Sequence, residues 1–129
     1  MAQIKIYGLK EHLAPIKEKL SNVVHACVVE ALQLPPDKRF HRFFPLDPSD
    51  FFFPADRSTH YTIIEISMFE GRSDETKKQL IRLLFTRLHE ELLIAPQDVE
   101  ITIIETPRQN WGIRGLPGDE LHVNYRVNV

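Results

Sequence analysis

An ungapped internal repeat at an offset of 60 residues constrains this chain more than any other feature. "IKI" at Ile4–Ile6 lies over "IEI" at Ile64–Ile66, Lys17 over Lys77, and Leu20 over Leu80. Val23, Val24 and Val28 fall on Leu83, Leu84 and Leu88, and "EALQLPPD" from Glu30 falls on "EELLIAPQ" from Glu90. Any one match is cheap. The whole set without an insertion carries weight, because each half then reads strand, helix, proline, strand. A repeat fixes the topology that both copies must share.

The local signals agree with that reading. Leu13, Ile16, Leu20, Val23, Val24, Cys27 and Ala31 mark one face of a 3.6-period helix, with Pro15 tolerated only in its first turn. A second helix follows Ser73 as N-cap, with Asp74 and Glu75 in its first turn and Leu80, Leu84 and Leu88 along one face. Each helix stops before a proline segment, at Pro35–Pro36 and at Pro96. A strand is expected to begin almost at the first residue, where Ile4 and Ile6 alternate with Lys5 and Tyr7, and further strands over 39–44, 61–69 and 99–106. The expected fold class is α+β: duplicated β-α-β units, over 2–47 and 62–107, forming a four-stranded sheet with two helices on one face. A C-terminal strand or hairpin is expected over 111–129, making one domain of residues 1–129.

In this arrangement Ile4, Ile6, Ile64, Ile66, Ile101 and Ile103 meet the helices. The opposite face carries Lys5, Tyr7, Glu65, Ser67 and Thr102, and Lys5 and Glu65 are placed to pair across the central strands. That mixed face is expected to meet other subunits or a wet channel between them; a solvated face is the bland alternative. "LHVNYRV" alternates Leu121, Val123, Tyr125 and Val127 with polar residues, so a short strand pairing with a neighbouring subunit is expected there.

Composition bounds the function classes. The chain has 129 residues, 43% hydrophobic and 26% charged, which suits one core. Its net charge is −2, and no Lys/Arg run suggests nucleic acid or an anionic membrane. No apolar stretch approaches ~18 residues and no signal-peptide pattern opens the chain, so a cytoplasmic protein is expected. Cys27 is the only cysteine, which excludes an intrachain disulfide. The six histidines show no ligand spacing, so no metal site is expected.

"MAQIKIYGL", "VVHACVVEALQLPPDKR", "FEGRSDETKKQL" and "NWGIRG" resemble matching stretches of the malonate semialdehyde decarboxylase-like branch of the tautomerase superfamily. The resemblance covers nearly the whole chain and rests on the order and spacing of short motifs. It implies a tautomerase-like fold assembled as a homotrimeric β-prism, no cofactor, and chemistry at an amino-terminal proline beside carboxylate-binding arginines. Here that position holds Ala2, so the amine would belong to Ala2, or to Met1 where the initiator is retained. The resemblance places Arg72 as the carboxylate anchor and Trp111 in the pocket wall. Ile113 stands where an aromatic is expected, and Lys38 at the position of a carboxylate. A second arginine is absent: Glu70 or Phe69 occupies its place.

The implied activity is keto–enol tautomerisation or decarboxylation of a small oxo-carboxylate. Ala2 and Arg72 would be catalytic; Arg72, Trp111, Lys38, Arg39 and Ile113 would bind substrate. The competing reading is a non-enzymatic trimer that binds a small anion or has a structural role. Outside the family, a ferredoxin-like regulatory domain would show the same repeat without the "GRS" and "NWGIRG" stretches. Plain structural roles compete at single residues: Arg72 in a surface pair with Glu70 or Glu75, Trp111 in packing, Lys38 and Arg39 in a solvated loop. Phe51–Phe53 is expected to pack on a neighbour or roof the pocket.

Overall fold

A computed structural model describes residues 2–129. Met1 lies outside the described residues. Strand β1 (Ala2–Leu9) leads into a one-turn helix α1 (Lys10–Leu13) and then α2 (Lys17–Leu32) and β2 (His41–Leu46). The second half repeats this with β3 (Thr62–Phe69), α3 (Asp74–Leu92) and β4 (Val99–Thr106). A two-stranded hairpin of β5 (Gly112–Ile113) and β6 (Leu116–Pro117) follows. The main sheet runs β2-β1-β3-β4, with β1/β2 and β3/β4 parallel and β1/β3 antiparallel. This is the duplicated β-α-β sheet expected from the repeat, joined at its centre by a pseudo-twofold.

The axis of that pseudo-twofold is legible in the register. Lys5 and Glu65 are equivalent by the 60-residue offset and are also direct partners across β1 and β3. They form no ion pair in the structure; Glu65 instead accepts a 2.6 Å hydrogen bond from the Tyr7 hydroxyl, which reaches it from two residues along the same face. Symmetry extends to the helix ends. Gln33 and Leu93, 60 positions apart, both adopt left-handed backbone at φ 54° and φ 57° and close their helices before a proline.

The core lies between the sheet and α2/α3. Ile4, Ile6, Ile64 and Ile66 are fully buried against Leu20, Val24, Leu80, Leu84 and Leu88, with Ile101 and Ile103 partly buried at the edge. Burying each large aliphatic side chain contributes roughly 1.5–3 kcal/mol. Cys27 is fully buried within the core, as its place on the helical stripe implies, and His25 is nearly so, with Nε2 2.7 Å from the Pro36 carbonyl oxygen.

Three local expectations are corrected. Pro15 does not sit in the first turn of a long helix but between α1 and α2; it has no N–H to give, and Ile16 restarts the helix after the break. β2 begins two residues later than expected, at His41, because the Phe40 carbonyl accepts the Ile4 N–H (2.9 Å) as the ladder opens. Residues 121–129 form no strand; they cross the end of the sheet as extended, irregular chain. The Phe51–Phe53 loop splits its role. Phe51 and Phe53 pack around Tyr61, at centroid distances of 5.6 and 5.4 Å, while Phe52 is 88% exposed.

Candidate active site

Four segments converge at the end of the sheet where β1 begins. Ala2, 3% exposed, opposes Met68 in the antiparallel ladder, one residue before Phe69 closes β3. Parallel pairing of β2 with β1 brings the loop before His41, and so Lys38, to the same end. The hairpin and the segment after it complete the enclosure. Between them lies a cavity of about 250 Å³ lined by Lys38, Phe69, Ile113, Arg114, His122 and Tyr125, among others.

Phe69 is the fixed wall of this cavity. It is fully buried, meets Trp111 edge-on at 5.2 Å, and lies under the Arg108 guanidinium, whose carbon is 5.2 Å from the ring centroid. Arg108 also ties the hairpin down. Its Nε and Nη2 donate to the Gly118 carbonyl (3.2 and 3.0 Å) and Nη2 to that of Leu121 (3.1 Å). Trp111 therefore stands behind Phe69, as support for the wall.

The lining is electrostatically one-sided. Lys38, Arg114 and His122 line it, and none of the described lining residues is a carboxylate. Apolar walls with a few cationic groups suit a small anion, because low-dielectric surroundings strengthen the attraction. Arg114 and His122 escaped sequence reasoning. Arg114 occupies the hairpin turn with φ 53°, and no periodic pattern marks a turn residue as lining.

Arg72 holds a different position from that of a surface ion pair. It is 4% exposed, directly before the α3 N-cap Ser73. Its Nη1 donates to the Phe69 carbonyl (3.2 Å), while Nε and Nη2 have no partner among the described residues. Burial lowers its pKa from the ordinary arginine value, opposed by the Glu105 carboxylate. Glu105 itself pairs with Lys77 at 2.7 Å. The expected partners Glu70 and Glu75 do not engage it. Arg72 is thus next to the cavity wall and walled off from the cavity.

Among the other expected residues, Lys38 and Ile113 do line the cavity. Arg39 does not: its Nη1 donates to Asn22 Oδ1 (2.7 Å) and Ser21 Oγ (3.4 Å), on the outer side of α2. Ala2 sits at the cavity's end of β1, and the alternative amine, on Met1, lies outside the described residues. Among the described residues, no group of three or more His, Cys, Asp or Glu stands ready to hold a metal ion.

The comparisons with known proteins match the fold that carries this site. A family model described as "Tautomerase enzyme" matches residues 38–114. The chain is 27% identical over 99 residues to the probable tautomerase YusQ of Bacillus subtilis (strain 168), covering 73% of this chain and 78% of that protein. It is 39% identical over 57 residues to 2-hydroxymuconate tautomerase of Comamonas testosteroni, covering 44% of this chain and 90% of that one. Among solved structures it resembles malonate semialdehyde decarboxylase, with a TM-score of 0.80 at 21% identity over 89% of this chain and 93% of that chain. It also resembles an FG41 malonate semialdehyde decarboxylase inhibited by 3-bromopropiolate, with a TM-score of 0.76 at 28% identity over 85% and 87%. The sheet order, the two covering helices and the matched span agree, and the chain belongs to the tautomerase family.

Proposed function

We propose that this protein is a cofactor-independent tautomerase acting on a small 2-oxo or 2-hydroxy-enol carboxylate. One observation carries the reading: Ala2 begins β1 at the end of the sheet that holds a cavity lined by Lys38, Arg114 and His122 and by no described carboxylate. The substrate carboxylate is held first by these cations; Arg72, walled off from the cavity in this structure, serves as the anchor once its covering is displaced. An amine at the start of β1 takes the enol O–H proton and returns it to the adjacent carbon. The electron pair of the O–H bond becomes the carbonyl, and the amine ends the cycle neutral. An α-amine starts near pKa 7.7–8.0 and burial in apolar surroundings lowers it, so its neutral form is available at pH 7. A positioned base of this kind contributes roughly 10²–10⁴-fold. Decarboxylation of a related oxo acid would use the same anchor.

The self-associated form we propose is a homotrimer. Tyr7 stacks on Phe44 at 4.8 Å on the outer sheet face, where Phe44 and Ile104 stay exposed, and such a face gains by being covered. No described helix is long and apolar enough to cross a membrane, and the setting we propose is the cytoplasm. One observation favours a second reading, a trimer that only binds a small anion. Arg72 is sealed from the cavity, at the end of the sheet where Ala2 stands in place of the proline that the family resemblance calls for.

Tautomerisation of phenylenolpyruvate separates the readings. Turnover that falls at least tenfold in Arg72→Ala and rises in Ala2→Pro supports the enzyme, with intact mass identifying the residue that bears the amine. Turnover absent from all three proteins, with pyruvate still bound, supports the anion-binding alternative.

A further inference from the structure

Residues 121–129 run between two anchors. At one end Arg108 grips the Leu121 carbonyl. At the other, the Val129 main-chain oxygen accepts from the Ser73 N–H (3.0 Å) and from the Thr76 hydroxyl (2.9 Å), over the first turn of α3. Among the described residues, no main-chain hydrogen bond joins 122–128 to the rest of the fold. Val127 lies against Gly71: a Cβ built there would stand 3.1 Å from Val127 Cγ1. The segment has the properties of a low-stability unit, with few hydrogen bonds and side chains alternating between half-buried and exposed.

The segment meets the residues on either side of Arg72, at Gly71 and Ser73, and Arg72 itself is 4% exposed. Arg72 carries five N–H donors, and a buried guanidinium with two nitrogens unpartnered sits in an unfavourable state. The Tyr125 hydroxyl, on the covering segment, is likewise buried without a partner among the described residues. Tyr125 also divides two spaces. The cavity of about 250 Å³ lies on one side, and on the other an open depression of about 410 Å³ is bordered by Glu70, Gly71, Arg108, Arg126 and Val127.

We propose that residues 122–129 are a displaceable strap that masks the Arg72 anion subsite, placing a main-chain oxygen on the α3 N-terminus where a substrate carboxylate would otherwise bind. This rests on the reading of Arg72 as the carboxylate anchor. Closed, the strap keeps the guanidinium dry and unavailable. Lifted, it joins the two spaces around Tyr125 and frees the Ser73 and Thr76 donors together with Nε and Nη2 of Arg72. A carboxylate then offers acceptors to that whole group, whereas the Val129 oxygen meets only the Ser73 and Thr76 donors. The strap and the anion compete, so the apparent affinity is the open-state affinity multiplied by the fraction open.

Phenylglyoxal labelling of arginine, read peptide by peptide in the full protein, tests this. Two variants open the strap by different means: truncation after Asn124, and Val127→Asp. The expected result is that Arg72 labels on the order of tenfold faster in either variant than in the intact protein, while Arg39 labels equally in all. Pyruvate should slow Arg72 labelling in the variants, and its Kd should tighten by a similar factor. Equal Arg72 labelling in the intact protein and both variants would overturn the proposal, as would an unchanged pyruvate Kd. Labelling does not depend on turnover, so loss of the tautomerase reading leaves this result legible.

Discussion

His41 and His12 show how single residues carry the fold's response to pH. His41 is half-buried with Nδ1 2.8 Å from Ser21 Oγ, and burial, then neighbouring His25 and Arg39, push its pKa down to about 4. His12 stacks on His60 at 4.6 Å, and burial, then His60, lower it likewise to about 4 against the opposing pull of Asp98. In the unfolded chain both titrate near 6.5. Between about pH 6.5 and 4 the unfolded state therefore binds more protons, and stability falls as pH falls. Each histidine should withdraw on the order of 1–3 kcal/mol across that window, after allowance for partial exposure. Urea midpoints measured from pH 7 to 4.5 should decline, and His41→Gln should flatten the decline. At this scale the sequence was least informative about the site. "GRS" singled out Arg72, yet its burial is not written in that stretch: the residues on either side of it, Gly71 and Ser73, meet Val127 and Val129, more than 50 positions downstream in a segment without a helical or paired-strand pattern. Arg39 and Lys38 are neighbours with the same charge, and only the start of the β1–β2 ladder decides which one turns inward.

The elements were far more legible, because their signals are local and repeated. Helical stripes, Ser73 as a cap and the alternating isoleucines each name a face, and the 60-residue offset lets one copy check the other. Ser73 does accept from the Thr76 N–H, as an N-cap should. The misses fall where a local rule met a nonlocal contact. Pro15 breaks its helix because Leu13 must pack beneath β1 beside Gly8, which separates a first turn from the rest. Residues 121–127 alternate like a strand, but within one chain they pair with none. The hairpin offers a direct test of element packing. A Cβ on Gly118 would stand 2.6 Å from the Arg108 carbonyl and 3.1 Å from Phe69. Gly118→Ala should destabilise by about 1–3 kcal/mol, lowering the thermal midpoint and shifting Trp111 fluorescence as the Phe69 wall moves.

On the scale of the whole molecule, the two halves meet along the β1–β3 ladder and between α2 and α3, so the central core belongs to neither half alone. The outer sheet face leaves Phe44 and Ile104 exposed, and in the proposed trimer other copies cover it. A homotrimer of 15.0 kDa chains should scatter light as about 45 kDa, and a clean monomer would remove the proposed assembly. The pseudo-twofold through Lys5 and Glu65 has a further consequence for the covalent chain. The peptide link between the halves passes through the loop bearing Phe52, the most exposed large hydrophobic side chain described, far from the surface that holds them together. Continuity there is dispensable in energetic terms: severing it costs association entropy and leaves the buried ladder intact. Fragments 1–52 and 53–129, expressed together, should assemble into particles of the same mass as the uncut protein, while either alone stays unfolded or aggregates.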